Sequence, residues 1–328
     1  MTDDVVDPVT RQLMAWTDEG HATALATVVD TWGSSPCPVG SKMAVNGKAA
    51  FVGSVSGGCI ETSVISESLE IIKDGGFEVL SYGVSDEQGA AAGLACGGNI
   101  RVLVEPVDER LLAVLSGARP VVRIVDLNDS SWTVLGQADT ELDGDVMDAA
   151  TGALASGRAG HMVDGDREYL IDPIVDSYRM LIIGAVAIAQ VLAPMAQAAG
   201  FDVTIIDPRP KFATRARFPD CRLVQTWPDK AMADLRPDRR CAIVTLTHDA
   251  APDDMALDMA LKSDAFYIGA LGSRRTHASR CQRLIEKGWS EEDLGIIHAP
   301  IGLDINAATP AEIAVAILAQ VIAEKNAS

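Results

Sequence analysis

Two cysteines in the first third of the chain, Cys59 and Cys96, each stand beside a pair of glycines at the edge of an apolar run. A cysteine retained only for packing usually lies inside a hydrophobic strand or helix. Flanking glycines instead bring backbone N–H groups and solvent close to the sulfur, and a thiolate is both a nucleophile and a soft metal ligand. The sequence therefore predicts two sulfurs that are presented to a ligand. The glycines concerned are Gly57, Gly58, Gly97 and Gly98.

The elements that must position Cys59 are a strand before the glycines and a helix after them. Apolar residues recur at helical spacing from Ile60 until Gly75 ends the pattern. Cys59 is therefore expected at a helix N-terminus, where unpaired N–H groups and the helix dipole favour a thiolate or a phosphate group. Ser56 belongs to the same turn, and Glu61 is expected to help cap the helix.

Composition excludes several classes of partner and compartment. The chain has 328 residues and a formal net charge of −19, which disfavours nucleic acid and an anionic membrane face as partners. No apolar run approaches the roughly 20 residues of a membrane span, and the first residues are acidic where a signal peptide needs basic ones. Six cysteines without a C-x-x-C pair indicate free thiols in a reducing compartment, so we expect the cytoplasm.

The pattern of elements predicts an α/β protein of two domains. Residues 1–175 are expected to form an N-terminal mixed α/β domain, in which Cys96 lies in a loop between two strands. Residues 176–328 alternate between strands and helices, which predicts a Rossmann-like domain with a doubly wound parallel sheet.

The first turn of the second domain departs from the usual dinucleotide-binding pattern. Of the three glycines in G-x-G-x-x-G only Gly184 is present, and Val186 occupies the position where a side chain would press on the phosphates. Asp207 matches the carboxylate that would bind a ribose hydroxyl, although it could equally end a strand in an ordinary turn. The pattern therefore disfavours NAD(P) binding.

A glycine-rich turn later in the second domain, residues 269–272, offers a place for an anion. Ser273 is a plausible helix N-cap, and Arg274 and Arg275 stand beside the N–H groups of the first helical turn. A capped helix with solvated arginines explains the same residues equally well. For His248 beside Asp249, a local hydrogen bond is favoured over acid–base catalysis.

With these features in view, the sequence resembles the XdhC/CoxI family of xanthine dehydrogenase accessory proteins. Separate motifs match in order along most of the chain. In the first domain they lie at residues 33–36, 53–61, 96–98 and 102–106. In the second domain they lie at residues 207–209, 247–249, 267–274, 300–304 and 309–314.

The resemblance implies a maturation factor that transiently binds the molybdenum cofactor, molybdopterin. Such a factor would assist sulfuration of the cofactor by a cysteine desulfurase and insert it into an apo molybdenum hydroxylase of the xanthine dehydrogenase type. It would be a carrier and chaperone more than an enzyme, without catalytic residues, and two-fold symmetry makes a homodimer the expected assembly.

The residues expected to contact the cofactor come from both domains. Cys59 and Cys96 are the candidates for the metal itself. The full set is Ser56, Gly57, Gly58, Cys59, Glu61, Cys96, Gly97, Gly98, Gly184, Asp207, Ser273 and Arg274.

Two positions depart from the family pattern, and two other functions remain open. Cys37 stands where the family commonly has arginine, which adds a third thiol, and Asn306 replaces a glycine. The alternatives are an NAD(P)-dependent oxidoreductase that uses the second domain, and an assembly scaffold that binds partners without holding the cofactor.

Overall fold

The computed structural model describes residues 6–32, 37–83, 99–136, 142–247 and 249–327. Contacts within the chain divide them into two units, one that ends at Asp176 and one that starts at Ser177. None of the helices in these ranges is long and apolar enough to cross a membrane.

The first unit begins with a five-stranded antiparallel sheet in the order β3-β2-β1-β5-β4. Its strands are β1 (Thr23–Trp32), β2 (Lys42–Asn46), β3 (Phe51–Gly53), β4 (Glu78–Tyr82) and β5 (Asn99–Pro106). Two helices accompany the sheet, α1 (Pro8–Asp18) and α2 (Glu61–Asp74). Asp7 caps α1 by accepting the N–H groups of Val9 and Thr10. One face of α2, including Val64 and Ile71, packs on the sheet, which fixes the chain that leads into it.

Asn46-Gly47 between two strands predicts a two-residue hairpin turn, and the structure has a different turn there. The side chain of Asn46 accepts the N–H groups of Lys48 and Ala50, and Ala49 adopts φ of 61°. The strands are consequently joined by a three-residue loop with a left-handed last residue.

A second, four-stranded antiparallel sheet completes the first unit, in the order β7-β6-β9-β8. Its strands are β6 (Val121–Asp126), β7 (Trp132–Val134), β8 (Gly160–Asp164) and β9 (Arg167–Ile174). The helices are α3 (Glu109–Ser116) and α4 (Gly144–Ser156). The polar composition of this region conceals α4, because only Val146, Ala150 and Ala153 form its buried stripe.

The second unit contains a parallel sheet, as the alternating pattern predicts, and this sheet has six strands. Its strands are β10 (Tyr178–Ile183), β11 (Phe201–Ile206), β12 (Arg222–Val224), β13 (Cys241–Thr245), β14 (Tyr267–Ala270) and β15 (Ile297–His298). The helices are α5 (Ala187–Ala198), α6 (Pro228–Leu235), α7 (Ala250–Ala260), α8 (Arg274–Glu286), α9 (Glu291–Leu294) and α10 (Pro310–Ala327).

The order β12-β11-β10-β13-β14-β15 is the Rossmann order, in which the direction of winding reverses between β10 and β13. Alternate residues of β10 enter two separate cores. Met180 and Ile182 belong to one hydrophobic cluster, whereas Leu181 and Ile183 belong to the other. Because both faces of the sheet are covered, ligands can reach it only at its ends, and the crevice at the carboxyl ends of β10 and β13 is the expected place.

Candidate functional site

Cys59 lies in a loop, residues 54–60, that joins β3 to α2. The helix starts at Glu61 with Ile60 as its N-cap, so Cys59 stands just before the helix. Its side chain is half-buried and packs against the hydrophobic cluster of the first sheet. The thiol is therefore held against the sheet and still reached by solvent.

The carboxylate of Glu61 folds back and holds this loop. Its Oε1 accepts hydrogen bonds from the Ser54 hydroxyl at 2.6 Å and the N–H groups of Val55 and Ser56 at 3.3 and 3.0 Å. Its Oε2 accepts from the Ser56 hydroxyl at 2.6 Å and the Gly58 N–H at 2.9 Å. Burial raises the pKa of Glu61, but the bonds from Ser54, Ser56 and the backbone outweigh it and lower the pKa to about 2.

Two serine hydroxyls accept the N–H groups that Glu61 does not. Ser54 Oγ accepts from Gly57 at 2.9 Å, and Ser56 Oγ accepts from Cys59 and Ile60 at 3.0 and 3.1 Å. The glycine-rich sequence predicts bare N–H groups beside the sulfur; that expectation is wrong for residues 55–60. Side chains of the loop itself occupy these donors, so in this conformation the loop offers a thiol and no phosphate cradle.

Gly57 and Gly58 are required by the backbone of this loop. Their φ angles are 79° and 117°, a region that residues with a Cβ rarely adopt. A Cβ on Gly58 would meet no atom within 4 Å, so conformation alone explains that glycine. The pair turns the chain so that the N–H of Gly58 reaches Glu61.

Cys37 belongs to the same surroundings, which its sequence position alone does not reveal. Its thiol donates a long hydrogen bond of 3.8 Å to Ser54 Oγ, and its side chain packs on the hydrophobic cluster that Cys59 contacts. A residue noted only as a departure from the family pattern is thus linked to the Cys59 loop through Ser54.

The second predicted cysteine segment, Cys96 with Gly97 and Gly98, lies outside the described residues, and its place as a metal ligand stays a prediction. Within the described ranges, no group of three or more His, Cys, Asp or Glu side chains could hold a metal ion. Any metal bound at Cys59 would therefore need further ligands, either from an organic cofactor that holds the metal or from residues outside these ranges.

In the second unit, Gly184, Val186 and Asp207 line a cavity of about 490 Å³ at the point where the winding reverses. The exposed indole of Trp227 and the apolar ends of β10 and β11 line the same cavity. A flat heterocycle would fit this mixture of aromatic and apolar surface. Trp227 had no sequence signal beyond its place after a short strand.

Gly184 is explained by packing between two strands. Its φ is 105°, and a Cβ there would lie 2.8 Å from the Cγ2 atom of Thr247, two residues after the end of β13. The structure therefore requires glycine here whether or not a phosphate is bound. Val186, at the position of the missing second glycine, is half-buried at the cavity wall.

Asp207 is fully engaged by its neighbours. Its Oδ2 accepts the Ala185 N–H at 2.8 Å and Arg209 Nη2 at 2.7 Å, and its Oδ1 accepts Arg209 Nε and the Arg209 N–H, both at 2.9 Å. Burial raises its pKa, yet the bonds from Arg209 and Ala185 bring the pKa below the ordinary value. A ribose hydroxyl would have to displace one of these donors.

Ser273 caps α8, where its hydroxyl accepts the N–H of Thr276. Arg274 is exposed on the outside of α8, whereas the next residue, Arg275, lines a second cavity of about 410 Å³. The structure thus brings Gly184 and Asp207 to one cavity and leaves Ser273 and Arg274 out of the linings of both. Thr247 and Asp249 line both cavities, and His248 between them lies outside the described residues.

Comparison with known proteins matches both units. Residues 16–83 match the family described as XdhC and CoxI, and residues 180–321 match the XdhC Rossmann domain. The first match contains the whole Cys59 loop, and the second contains both cavities. Cys96 lies outside both matched ranges.

Two curated proteins are similar over nearly the whole chain. The molybdenum cofactor insertion chaperone PaoD of Escherichia coli is 29% identical over 302 residues, 92% of this chain and 83% of that protein. A probable xanthine dehydrogenase subunit of Bacillus subtilis is 25% identical over 94% of this chain and 95% of that protein.

A crystal structure described as a xanthine dehydrogenase from Bacillus halodurans has the same fold. It superposes with a TM-score of 0.77 at 23% identity, over 100% of this chain and 96% of that one. The same family is indicated by the two matched ranges, by the relatives that are similar over nearly the whole chain, and by the shared fold. The chain belongs to the XdhC and CoxI family.

Proposed function

We propose that this protein carries the molybdenum cofactor and inserts it into an apo molybdenum hydroxylase of the xanthine dehydrogenase type. The observation that carries the proposal is the Cys59 loop, in which a buried carboxylate and two serines hold one half-buried thiol. A carrier must hold its cargo without consuming it, and a fixed thiol beside a hydrophobic sheet suits that task.

The relatives support the nature of the cargo. PaoD is named for insertion of the molybdenum cofactor, and it is similar over 92% of this chain. The cofactor has its own dithiolene, so a single protein thiolate can add to a metal that is already ligated.

Three further parts of the proposal concern partners and assembly. We propose that a cysteine desulfurase delivers sulfur while the cofactor is held, that the apo hydroxylase receives the product, and that the carrier is a homodimer. Co-purification with each enzyme tests the partners, and light scattering after size exclusion tests the dimer. A monomer at micromolar concentration would contradict the last point.

The cofactor site is tested by retention of the cargo. The wild type and the Cys59→Ala and Cys96→Ala variants are purified from a host that makes the cofactor, and molybdenum and pterin are measured per chain. Cys281→Ala is the matched control, because Cys281 is also half-buried but lies on α8 of the second unit. We expect retention to fall at least about tenfold in the first two variants, as for loss of one strong polar contact, and to persist in the control.

Equal retention in all four proteins would reject the assigned cysteines. If the wild type binds both partners and holds neither molybdenum nor pterin, the carrier proposal fails and the chain is a cofactor-free scaffold.

The Rossmann order and the cavity at the reversal point favour one alternative, an NAD(P)-dependent oxidoreductase. Val186 at the cavity wall and the four donors already on Asp207 argue against it. Calorimetric titration with NAD and NADP decides between them. Binding of NAD or NADP at micromolar concentration would show that the second unit does more than take part in carrying the cofactor.

A further inference from the structure

The second cavity of the Rossmann-like unit lies beside the first, at the carboxyl ends of β13 and β14. One face of α8 forms much of its wall, because residues 275, 276, 279, 280 and 283 recur at helical spacing. Thr247 and Asp249 close the side that faces the first cavity. The wall therefore comes from the flank of α8, not from its capped N-terminus.

Arg280 is the unusual residue in this wall. Its side chain is only 3% exposed, and Nη2 donates to Asp253 Oδ2 at 3.1 Å and to the Leu271 carbonyl at 2.9 Å. A guanidinium carries five N–H donors, of which Nη2 supplies two. The other three, on Nε and Nη1, are buried and find no acceptor in the part of the chain that the structure describes.

Asp253 holds Arg280 in place but leaves most of its N–H donors without an acceptor. The carboxylate accepts the Thr247 hydroxyl at 2.7 Å through Oδ1 and Arg280 through Oδ2. Asp253 is itself 3% exposed, so two opposite charges are buried together. Burying a cation whose donors are partly unused is costly unless another acceptor reaches it. Nε and Nη1 are closed to solvent in this conformation, so an acceptor that enters the cavity beside Arg280 must displace the side chains that cover them.

The remaining groups of the wall favour an oxyanion. Arg275 is exposed at the mouth, and the hydroxyls of Thr276 and Ser279 lie on the same face of α8. Arg283 adds little, because Asp254 already accepts from its Nε and Nη2. The two arginines that remain, Arg275 and Arg280, line the cavity together with two carboxylates, Asp249 and Asp253. The charges of the wall therefore cancel, and an anion would bind only through direct contacts with the arginines and hydroxyls.

We propose that this cavity binds the phosphate group of a small ligand, through Arg280 and Arg275 with the hydroxyl of Ser279. The cavity of about 410 Å³ has room for a phosphate or a pyrophosphate with part of the group that it esterifies. Arginine suits such oxyanions because its planar donors match their oxygens. The proposal rests on the proposed carrier function only for the identity of the natural ligand.

The test is calorimetric titration of the full chain in a buffer without phosphate or sulfate. The probes are inorganic phosphate, pyrophosphate and glycerol 3-phosphate, with glycerol as the uncharged control. Free phosphate and phosphate esters share the same chemistry, and the tighter of these probes identifies which source the cavity accepts. Binding of glycerol alone, or of no probe up to millimolar concentration, would reject the site.

The variants are Arg275→Ala and Ser279→Glu, both on the exposed part of the wall, with Arg274→Ala as the control. Arg274 is adjacent and equally charged but lies outside the cavity. We expect affinity for pyrophosphate to fall about tenfold or more in the first two and less than twofold in the control. Equal losses in Arg275→Ala and Arg274→Ala would show a diffuse charge effect and contradict the proposal.

Arg280→Lys keeps the charge and removes the planar donors, and should also lose at least about tenfold. Because Arg280 is buried, the Arg280→Lys result is used only if the circular dichroism spectrum and the thermal midpoint of the variant match those of the wild type. If they do not match, the exposed variants Arg275→Ala and Ser279→Glu decide the test. Retention of molybdenum by Cys59 is measured separately, so failure of phosphate binding and failure of the carrier proposal are distinguishable.

Discussion

Glu61 and Asp207 show how a carboxylate can be committed to its own chain. Glu61 accepts five hydrogen bonds from the loop before α2, and Asp207 accepts four from Ala185 and Arg209. Both residues belong to the set predicted to bind the cofactor, and Glu61 is predicted first of all to cap the helix. With every oxygen occupied, each acts first on local geometry, and we infer that Glu61 contributes to the site by positioning Cys59.

The first prediction concerns the Glu61→Gln variant. The pKa of Glu61 is about 2 in the folded chain, against an ordinary value of 4.5. Between pH 2 and pH 4.5 the unfolded state therefore binds more protons than the folded state. The stabilisation is therefore complete above about pH 4.5 and is lost as the pH falls towards 2. It amounts to at most about 3 kcal/mol, and the variant should lack it above about pH 5. Calorimetric unfolding from pH 3 to 7 measures the difference.

Glu109→Gln is the control for that comparison, because Glu109 also begins a helix but is exposed. Burial raises the pKa of Asp253 to about 6, so the contribution of Asp253 to stability falls as the pH rises, opposite to that of Glu61. The wild type and Glu61→Gln share this contribution, so it cancels in the difference between them. If Glu61→Gln and the wild type lose stability in parallel below pH 5, the carboxylate does not hold the loop in the way described.

At the scale of elements, the approach of β13 to the turn after β10 decides which residue can occupy position 184. The Cγ2 atom of Thr247 would lie 2.8 Å from a Cβ on Gly184, closer than packed atoms tolerate. The turn is thereby kept tight at the point where a crevice opens between the strands. Its glycine is a requirement of strand packing before it is a feature of any ligand site.

The second prediction compares Gly184→Ala with Gly200→Ala. Both glycines have positive φ, 105° and 85°, but a Cβ on Gly200 would meet nothing within 4 Å. Gly200→Ala should cost about 1 to 2 kcal/mol from conformation alone. Gly184→Ala should cost about 1 to 3 kcal/mol more, because Thr247 must move. Unfolding in urea measures both, and equal losses would mean that the strand ends separate readily.

The sequence predicts the central strands of the parallel sheet, β10, β11, β13 and β14, because each is an apolar run bounded by turns. It does not predict the edge strand β15, which has only two residues. It hides α4, whose three buried residues are separated by Asp and Gly, and it misjudges the turn after Asn46, where a side-chain acceptor selects a longer loop. Periodicity reports which residues face a core, and it does not report where a polar side chain folds back.

The same limit applies to the candidate site. The glycines beside Cys59 indicate the loop, but the occupied N–H groups follow from the approach of Glu61 and Ser56, which no spacing rule predicts. Arg280 on a polar helix would be taken as solvated, and only the approach of Asp253 from α7 reveals that it is buried. Tertiary contacts of polar groups account for most of what the sequence leaves out.

At the scale of the whole molecule, each unit has hydrophobic clusters of its own. Four clusters lie within the first unit and two within the second, and among the described residues none draws on both. The bonds of Glu61 and the neighbours of Gly184 each lie within the unit of that residue, so we expect the effects of substitutions at these two positions to add.

The third prediction tests this independence with two double-mutant cycles. Glu61→Gln and Gly184→Ala lie in different units, so their losses of unfolding free energy should add to within about 0.5 kcal/mol. Glu61→Gln and Ser56→Ala share a 2.6 Å hydrogen bond, so their losses should fall short of additivity by about 0.5 to 3 kcal/mol. Urea unfolding at pH 7 supplies all the values. Strong coupling in the first cycle would contradict the expected independence of the two positions, and additivity in the second would show that the Glu61 network is not a unit.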